Sequence, residues 1–458
     1  MGIKLDWEVE AESDYAQEAR EDRLSVRGRW LARLRLILGV LIVVGIFGGI
    51  GGVLWWRLQT VDGEIRRALE DTVAAEVTSL RLADRVGYLD VQRSADDVWR
   101  NTQSEQFDVY QTLKQQYDVQ LTGEVVNIEV DGARGRVQVQ EIIDGIPYVQ
   151  TWFYWRYGED GWRHVPPDYT FWGETQTQTQ GNLTVRYRDV DEPLAIALVT
   201  EGDVWLTQTC AVLGCATVPE VEIEIVAQPG IGADWNVETP WQMVVPSVYV
   251  GRSRLDRPFD TALRLRVADL LVSRLAEQAA TVPTAPYPSD ALYVREAVKS
   301  WLTGQFAQTG TGSYLIDSYV ARYGQESLQT AISNLQPDAN LTLLAAAAGV
   351  ASVDSLEVDW RDYLTWRLNA EADLNTQRDQ AGFNALYDFA DPVAANIATV
   401  RFAQPAVPER REVVRVQSGA DGQGTPLLQA TVAVGEGDAI RQEAVTFRLV
   451  EGSWRRIN

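Results

Sequence analysis

TWFYWRYGEDGWRHV (residues 151–165) and VTFRLVEGSWRRI (residues 445–457) decide how this chain divides. Each reads as an aromatic strand, an acidic-glycine turn and a returning Trp-Arg segment. Similar endings on two segments of similar length suggest two copies of one fold. Working outward from the first, residues 62–118 are helical: Ile65, Leu69, Val73, Val77 and Leu80 fall three or four apart on one face. From Gln120 the period drops to two, and Asp144-Gly145 predicts a type I′ hairpin before the strand from Tyr148 to Tyr157. Working outward from the second, residues 378–390 predict a helix and residues 413–416, 427–434 and 444–450 predict strands.

Between the copies, ETQTQTQG (174–181) has no apolar residue and reads as a linker. Residues 183–257 are strand-rich, as in VEIEIV (221–226). From Pro258, which suits a first helical turn, the pattern turns helical. Leu263, Val267, Leu270, Leu271 and Leu275 form one stripe. Ser289 is a candidate N-cap for a second helix with Leu292, Val298, Trp301 and Leu302 on its face. A third helix ends at Gly324, and a fourth carries Leu356, Trp360, Tyr363, Leu364 and Arg367.

At the other end of the chain, LILGVLIVVGIFGGIGGVLWW (36–56) has no charge over 21 residues. That length crosses a hydrocarbon core of about 30 Å as a helix, so residues 36–57 are expected to be a transmembrane helix in contact with the lipid bilayer. Within twenty residues the N-terminal flank holds six arginines and the C-terminal flank three. Basic residues stay on the cytoplasmic side. The expected location is therefore the plasma membrane, single-pass, with residues 1–35 a disordered cytoplasmic tail and residues 58–458 extracytoplasmic. The apolar core is too long for a cleaved signal peptide. Gly45/Gly49 and Gly48/Gly52 have the spacing at which membrane helices form a homodimer, although six glycines in 21 residues produce that spacing by chance as well.

The chain holds 41 basic and 64 acidic residues, a net charge of −23. Phosphate binding needs clustered cations, so nucleic acid is excluded as a partner. Cys210 and Cys215, in CAVLGC, are the only cysteines; a disulfide and two reduced thiols are both compatible with the spacing. One histidine, His164, is present. Metal sites built from His and Cys are excluded by that count, no Asp-x-Asp-x-Asp-Gly loop is present, and no cofactor motif appears. A Ser-His-acid triad would have to use His164, no Gly-x-Ser-x-Gly exists, and none of Lys4, Lys114 or Lys299 completes a Ser-x-x-Lys. Asp260 is explained as an acid in the first turn of a helix.

The order of helices followed by a curved sheet, closed by Gly161-Trp162-Arg163 and again by Gly452-Ser453-Trp454-Arg455, resembles the nuclear-transport-factor-2-like (cystatin-like) α+β cone over about 62–172 and 371–458. The middle segment looks like a peptidase MA-like (gluzincin) domain. The residues carrying that likeness are Gly312-Ser313-Tyr314, Arg322-Tyr323-Gly324, Leu328, Gly349, Leu356-Glu357 and Trp360-Arg361. The resemblance maps the family's second-helix zinc ligand to Glu296 in Glu296-Ala297-Val298-Lys299. The helix that should carry His-Glu-x-x-His is TALRLRVADLLVSRLAE (261–277), without any histidine. Two imidazoles one turn apart are what zinc hydrolysis requires, so the resemblance implies an inactive member.

The expectation is thus an α+β chain with one N-terminal transmembrane helix and a multi-domain ectodomain. Its domains are a cone at 58–173, a linker at 174–182, a strand-rich lobe followed by a helical gluzincin-like lobe at 183–370, and a second cone at 371–458. The expected role is non-catalytic binding or scaffolding at the cell envelope. The alternatives are a hydrolase with a non-zinc site, or glycan or small-molecule binding by the cones. For the last, residues 148–172 offer Trp152, Trp155 and Tyr157 on a strand aromatic on both faces, where packing against a neighbouring domain is the plainer explanation.

Overall fold

Glutamate, alanine, arginine and leucine, all strong helix formers, dominate the stretch after Trp7. In a computed structural model of the chain, which describes residues 7–94, 97–228, 230–310, 312–405, 409–435 and 440–458, that stretch opens one continuous helix, α1 (Trp7–Leu82). Two expectations are corrected here. From Trp7 onward the N-terminal tail is helical, not disordered. The expected transmembrane helix is also corrected: the apolar run is an internal part of a 76-residue helix, and among the described residues no helix is long and apolar enough to cross a membrane.

The chain divides into two compact units, one of residues 1–115, 127–137 and 153–166, the other of residues 116–126, 138–152 and 167–458. In the first, α1 is followed by α2 (Arg85–Val91) and α3 (Asp97–Gln116). Strands β1 (Val119–Asp131), β2 (Arg134–Ile143) and β3 (Ile146–Tyr157) each give residues to both units. Asp144 and Gly145 both have positive φ, as the expected hairpin requires. In the first unit β4 (Gly161–Val165) pairs antiparallel with β3, Tyr154 opposite His164. The predicted face of α1 is inside: Leu69, Val73, Val77 and Leu80 are buried.

The second unit holds a five-stranded sheet of order β5 (Thr175–Gln180), β6 (Leu183–Arg188), β7 (Val221–Val226), β9 (Gln242–Pro246) and β8 (Asp234–Trp235). β6, β7 and β9 run parallel, and β5 and β8 are antiparallel edges. The expected linker at 174–182 is therefore corrected to a strand. Its six residues find a complete ladder of partners on β6, from Thr175 opposite Arg188 to Gln180 opposite Leu183. Helix α4 (Glu192–Leu213) joins β6 to β7 and covers one face, and the short strand β10 (Arg252–Arg254) pairs with the 148–150 portion of β3. The helices α5 (Thr261–Arg274), α6 (Asp290–Ala307), α7 (Tyr314–Tyr323), α8 (Gln325–Ser333) and α9 (Thr342–Ala347) follow. Ser289 caps α6 and Gly324 ends α7, as expected.

The last segment contains α10 (Arg361–Gln377), α11 (Gln380–Ala385) and α12 (Pro392–Ala403). These lead into the antiparallel meander β11 (Arg411–Ala420), β12 (Pro426–Val434), β13 (Arg441–Val450) and β14 (Ser453–Arg456). Its internal construction matches that of the α1 to β4 segment residue by residue. Ala83 and Arg378 each turn the chain through positive φ. The next residues, Asp84 and Asp379, cap α2 and α11 by accepting from Gly87 N and Gly382 N, each at 3.0 Å. A Cβ at either glycine would collide with the capping carboxylate. Eight residues before each cap lies a buried glutamate, Glu76 or Glu371. Two residues after each buried tryptophan of the last strand, Trp162 or Trp454, lies its buried base, His164 or Arg456. Gln92 bridges in parallel to His164, and Tyr387 to Arg456.

The Glu371 carboxylate meets Arg456 at 2.7 Å, Arg401 at 2.9 Å and Arg411 at 3.6 Å. Burial pushes this carboxyl up, but the three guanidiniums outweigh burial and hold it below its ordinary value. A carboxyl depressed by folding contributes stability that is present above its unfolded value, about 4.3, and is lost as pH falls through its folded value. Glu371→Gln should therefore cost about 3–5 kcal/mol at pH 7, with the deficit shrinking between pH 5 and pH 3. Urea unfolding at both ends of that range checks this, and an undiminished deficit at pH 3 would contradict it.

Candidate functional site

Helices α5 and α6 of the second unit face each other across an open cleft of about 240 Å³. α5 starts where Asp260 accepts from Leu263 N at 2.9 Å, so the aspartate is the N-cap just before the helix and not an acid within its first turn. One side of α5 is core: Val267, Ala268, Leu271 and Val272 are buried. The residues left over, Leu265, Asp269 and Ser273, repeat every four and line the cleft. α6 contributes Glu296, Lys299, Ser300, Thr303 and Gly304.

Glu296, the position to which a zinc ligand was mapped, does face α5 across this cleft. Its carboxylate is half exposed and accepts from Lys299 Nζ at 2.9 Å. A permanent cation thus sits on the oxygen that a metal would need. Among the described residues no group of three or more His, Cys, Asp and Glu side chains converges as metal ligands do. The far wall is set by close backbone approach: Ser300 Oγ donates to Gly312 O at 2.6 Å, and a Cβ on Gly312 would collide with the Ser300 carbonyl. Thr303 is buried but opens onto the cleft.

The remaining candidates lie elsewhere. Trp152 is buried, Trp155 is exposed and Tyr157 is half-buried under the Arg93 guanidinium, 4.1 Å from its ring centre. Trp152, Phe153 and Tyr154 are all inside, so strict alternation of buried and exposed residues fails there. Cys210 and Cys215 form a disulfide across the C-terminal end of α4. Gly45 and Gly49 have nothing within reach of an added Cβ.

His164 is buried. Its Nδ1 lies 2.7 Å from Glu76 Oε1, Gln92 Nε2 donates to the same oxygen at 2.8 Å, and Tyr154 Oη donates to Oε2 at 2.7 Å. Burial, then the Glu76 charge, pushes the Tyr154 phenol well above its ordinary range. These three bonds lie within the first unit and hold α1 to the strands. Sequence reasoning missed Glu76, although it lies within the apolar stripe of α1, and missed Asp269, Ser273 and Lys299. The four-residue repeat on the non-core side of α5 was the available signal for Asp269 and Ser273.

No family model matches the chain, and a comparison with curated proteins finds none that is significantly similar.

Gly312→Ala should push the 312 segment off α6 and lower stability by roughly 1–3 kcal/mol. Gly310→Ala meets no atom but forces a positive φ, and should cost nearer 1 kcal/mol. Paired chemical denaturation of the two variants checks the order, and equal or reversed costs would contradict the close approach.

Proposed function

We propose that this chain is a non-catalytic binding or scaffolding protein, with residues 183–370 a peptidase-like lobe that has no zinc site. The observation that carries the reading is the α5 face opposite Glu296. Where a zinc peptidase would set two imidazoles a turn apart, this face holds Leu265, Asp269 and Ser273. Leu265 has no donor atom. The Lys299 ammonium on Glu296 repels a dication and neutralises the carboxylate that would otherwise attract one. What remains is a cleft of mixed polarity on a rigid helix pair, suited to holding a ligand without attacking it.

The Cys210–Cys215 disulfide supports an oxidising, extracytoplasmic compartment for the lobe, since cytosolic thiols are kept reduced. The net charge of −23 supports protein or uncharged glycan ligands over nucleic acid.

Purified full-length chain should hold no stoichiometric zinc after dialysis against zinc salt, and should show no peptide cleavage that a chelator abolishes. Metal analysis and a chelator-controlled peptidase assay check both. Chelator-sensitive cleavage, retained on repurification and lost in Glu296→Gln, would sink the reading.

A further inference from the structure

Among the described residues, every sheet edge except one is blunted. β1 carries Glu124, Glu129 and Asp131, β10 carries Arg252 and Arg254, and β4 carries Arg163. β14 carries Arg455 and Arg456, and β11 has three charged residues and a bulge between Val413 and Arg415. β8 has two residues, one of them Asp234. Charges, bulges and short strands are how sheets avoid pairing with other chains. β5 has none of these. Its six residues are TQTQTQ, five of them exposed, in an unbroken register on β6. It ends the sheet, and among the described residues its outer edge has no backbone partner.

The chemistry of this edge selects its partner. Thr175, Thr177 and Thr179 share one face with Thr184 and Arg186, and the Thr179 and Thr184 hydroxyls lie 3.1 Å apart. Gln176, Gln178 and Gln180 share the other. A two-fold axis perpendicular to the sheet through Thr177 or Gln178 sets threonine opposite threonine and glutamine opposite glutamine, both favourable cross-strand pairs. Glu174 then falls opposite Gln180 or Asn182, neither of which is charged. For a chain of net charge −23, an uncharged edge is one place where two copies meet without paying for the net repulsion. α4, packed on β5 and β6, adds an outward row of Ile196, Thr200, Val204, Thr207 and Ala211 with no charge among them.

We propose that two copies of this chain pair antiparallel along β5, joining their five-stranded sheets into one continuous sheet. The occupant of the edge is a second copy, because the same six residues are complementary to themselves in side-chain type, face and charge.

Sedimentation velocity on the full-length chain across a concentration series tests this, with Gln178→Lys beside wild type. Wild type should form a dimer. Gln178→Lys, which sets like charges against each other across the axis, should weaken that dimer about tenfold, and circular dichroism should report an unchanged fold. Independently, Thr177→Cys or Gln178→Cys adds the chain's single free thiol and lies at or beside the axis. Mild oxidation should trap a covalent dimer through one of the two but not through Thr200→Cys. A monomeric wild type overturns the proposal. So does a wild-type dimer that Gln178→Lys leaves intact and neither central cysteine crosslinks, or an edge that takes an added extended peptide while the chain stays monomeric.

Discussion

A carboxylate carried into an apolar interior must be met there by a base, and the two helix-and-meander segments of this chain are both organised around that constraint. Leaving a buried carboxylate unpaired costs more than any single apolar contact returns. In one segment Glu371 gathers Arg456, Arg401 and Arg411 from the last strand, the third helix and the first strand. In the other, Glu76 gathers His164, Gln92 and Tyr154. In both, the base comes from two residues beyond a buried tryptophan, so the last strand is locked to the first helix at one register. A slip of one residue would turn the base to the opposite face. The capping aspartate, its glycine and the positive-φ residue before it set where the second helix turns back, and thereby which residue bridges to the base.

The same logic extends to the α5–α6 cleft. Its charges are already spoken for at the surface: Glu296 by Lys299, with the Arg295 guanidinium 3.9 Å away. A catalytic carboxylate works by being poised and under-satisfied. Glu296 is neither buried nor short of a partner. The cleft keeps its shape through Gly312 against Ser300, where backbone meets backbone and the Ser300 hydroxyl donates to the Gly312 carbonyl.

Much of the fold was legible because it rests on local rules. The buried face of α1 followed from spacing, the Asp144-Gly145 turn from its positive-φ residues, and the start of α6 and end of α7 from Ser289 and Gly324. The candidate site was legible in part: Glu296 and helix 261–277 do share a cleft. What was not legible rests on partners distant in sequence. Glu76 and His164 are 88 residues apart; the position of Glu76, three after Val73 and four before Leu80, puts it on the apolar face, but nothing local names its partner. The apolar run at 36–56 misled in the opposite way. Composition argued for an element that begins and ends with the run, whereas good helix formers on both sides carry the helix from Trp7 to Leu82.

The TQTQTQ segment shows how one property yields both a wrong and a useful reading. With no apolar residue, it has no face to bury, so a rule based on hydrophobic period assigns it to a linker. Threonine nonetheless favours extended backbone, and β6 beside it offers a complete, unbulged ladder. The strand is therefore a consequence of its neighbour and not of its own pattern. Edge strands are ordinarily held apart from other chains by charge, and the 23% of charged residues in this chain make six consecutive neutral polar positions on an open edge an exception. The absence of charge that hid the strand in the sequence is what leaves its outer edge open to another copy.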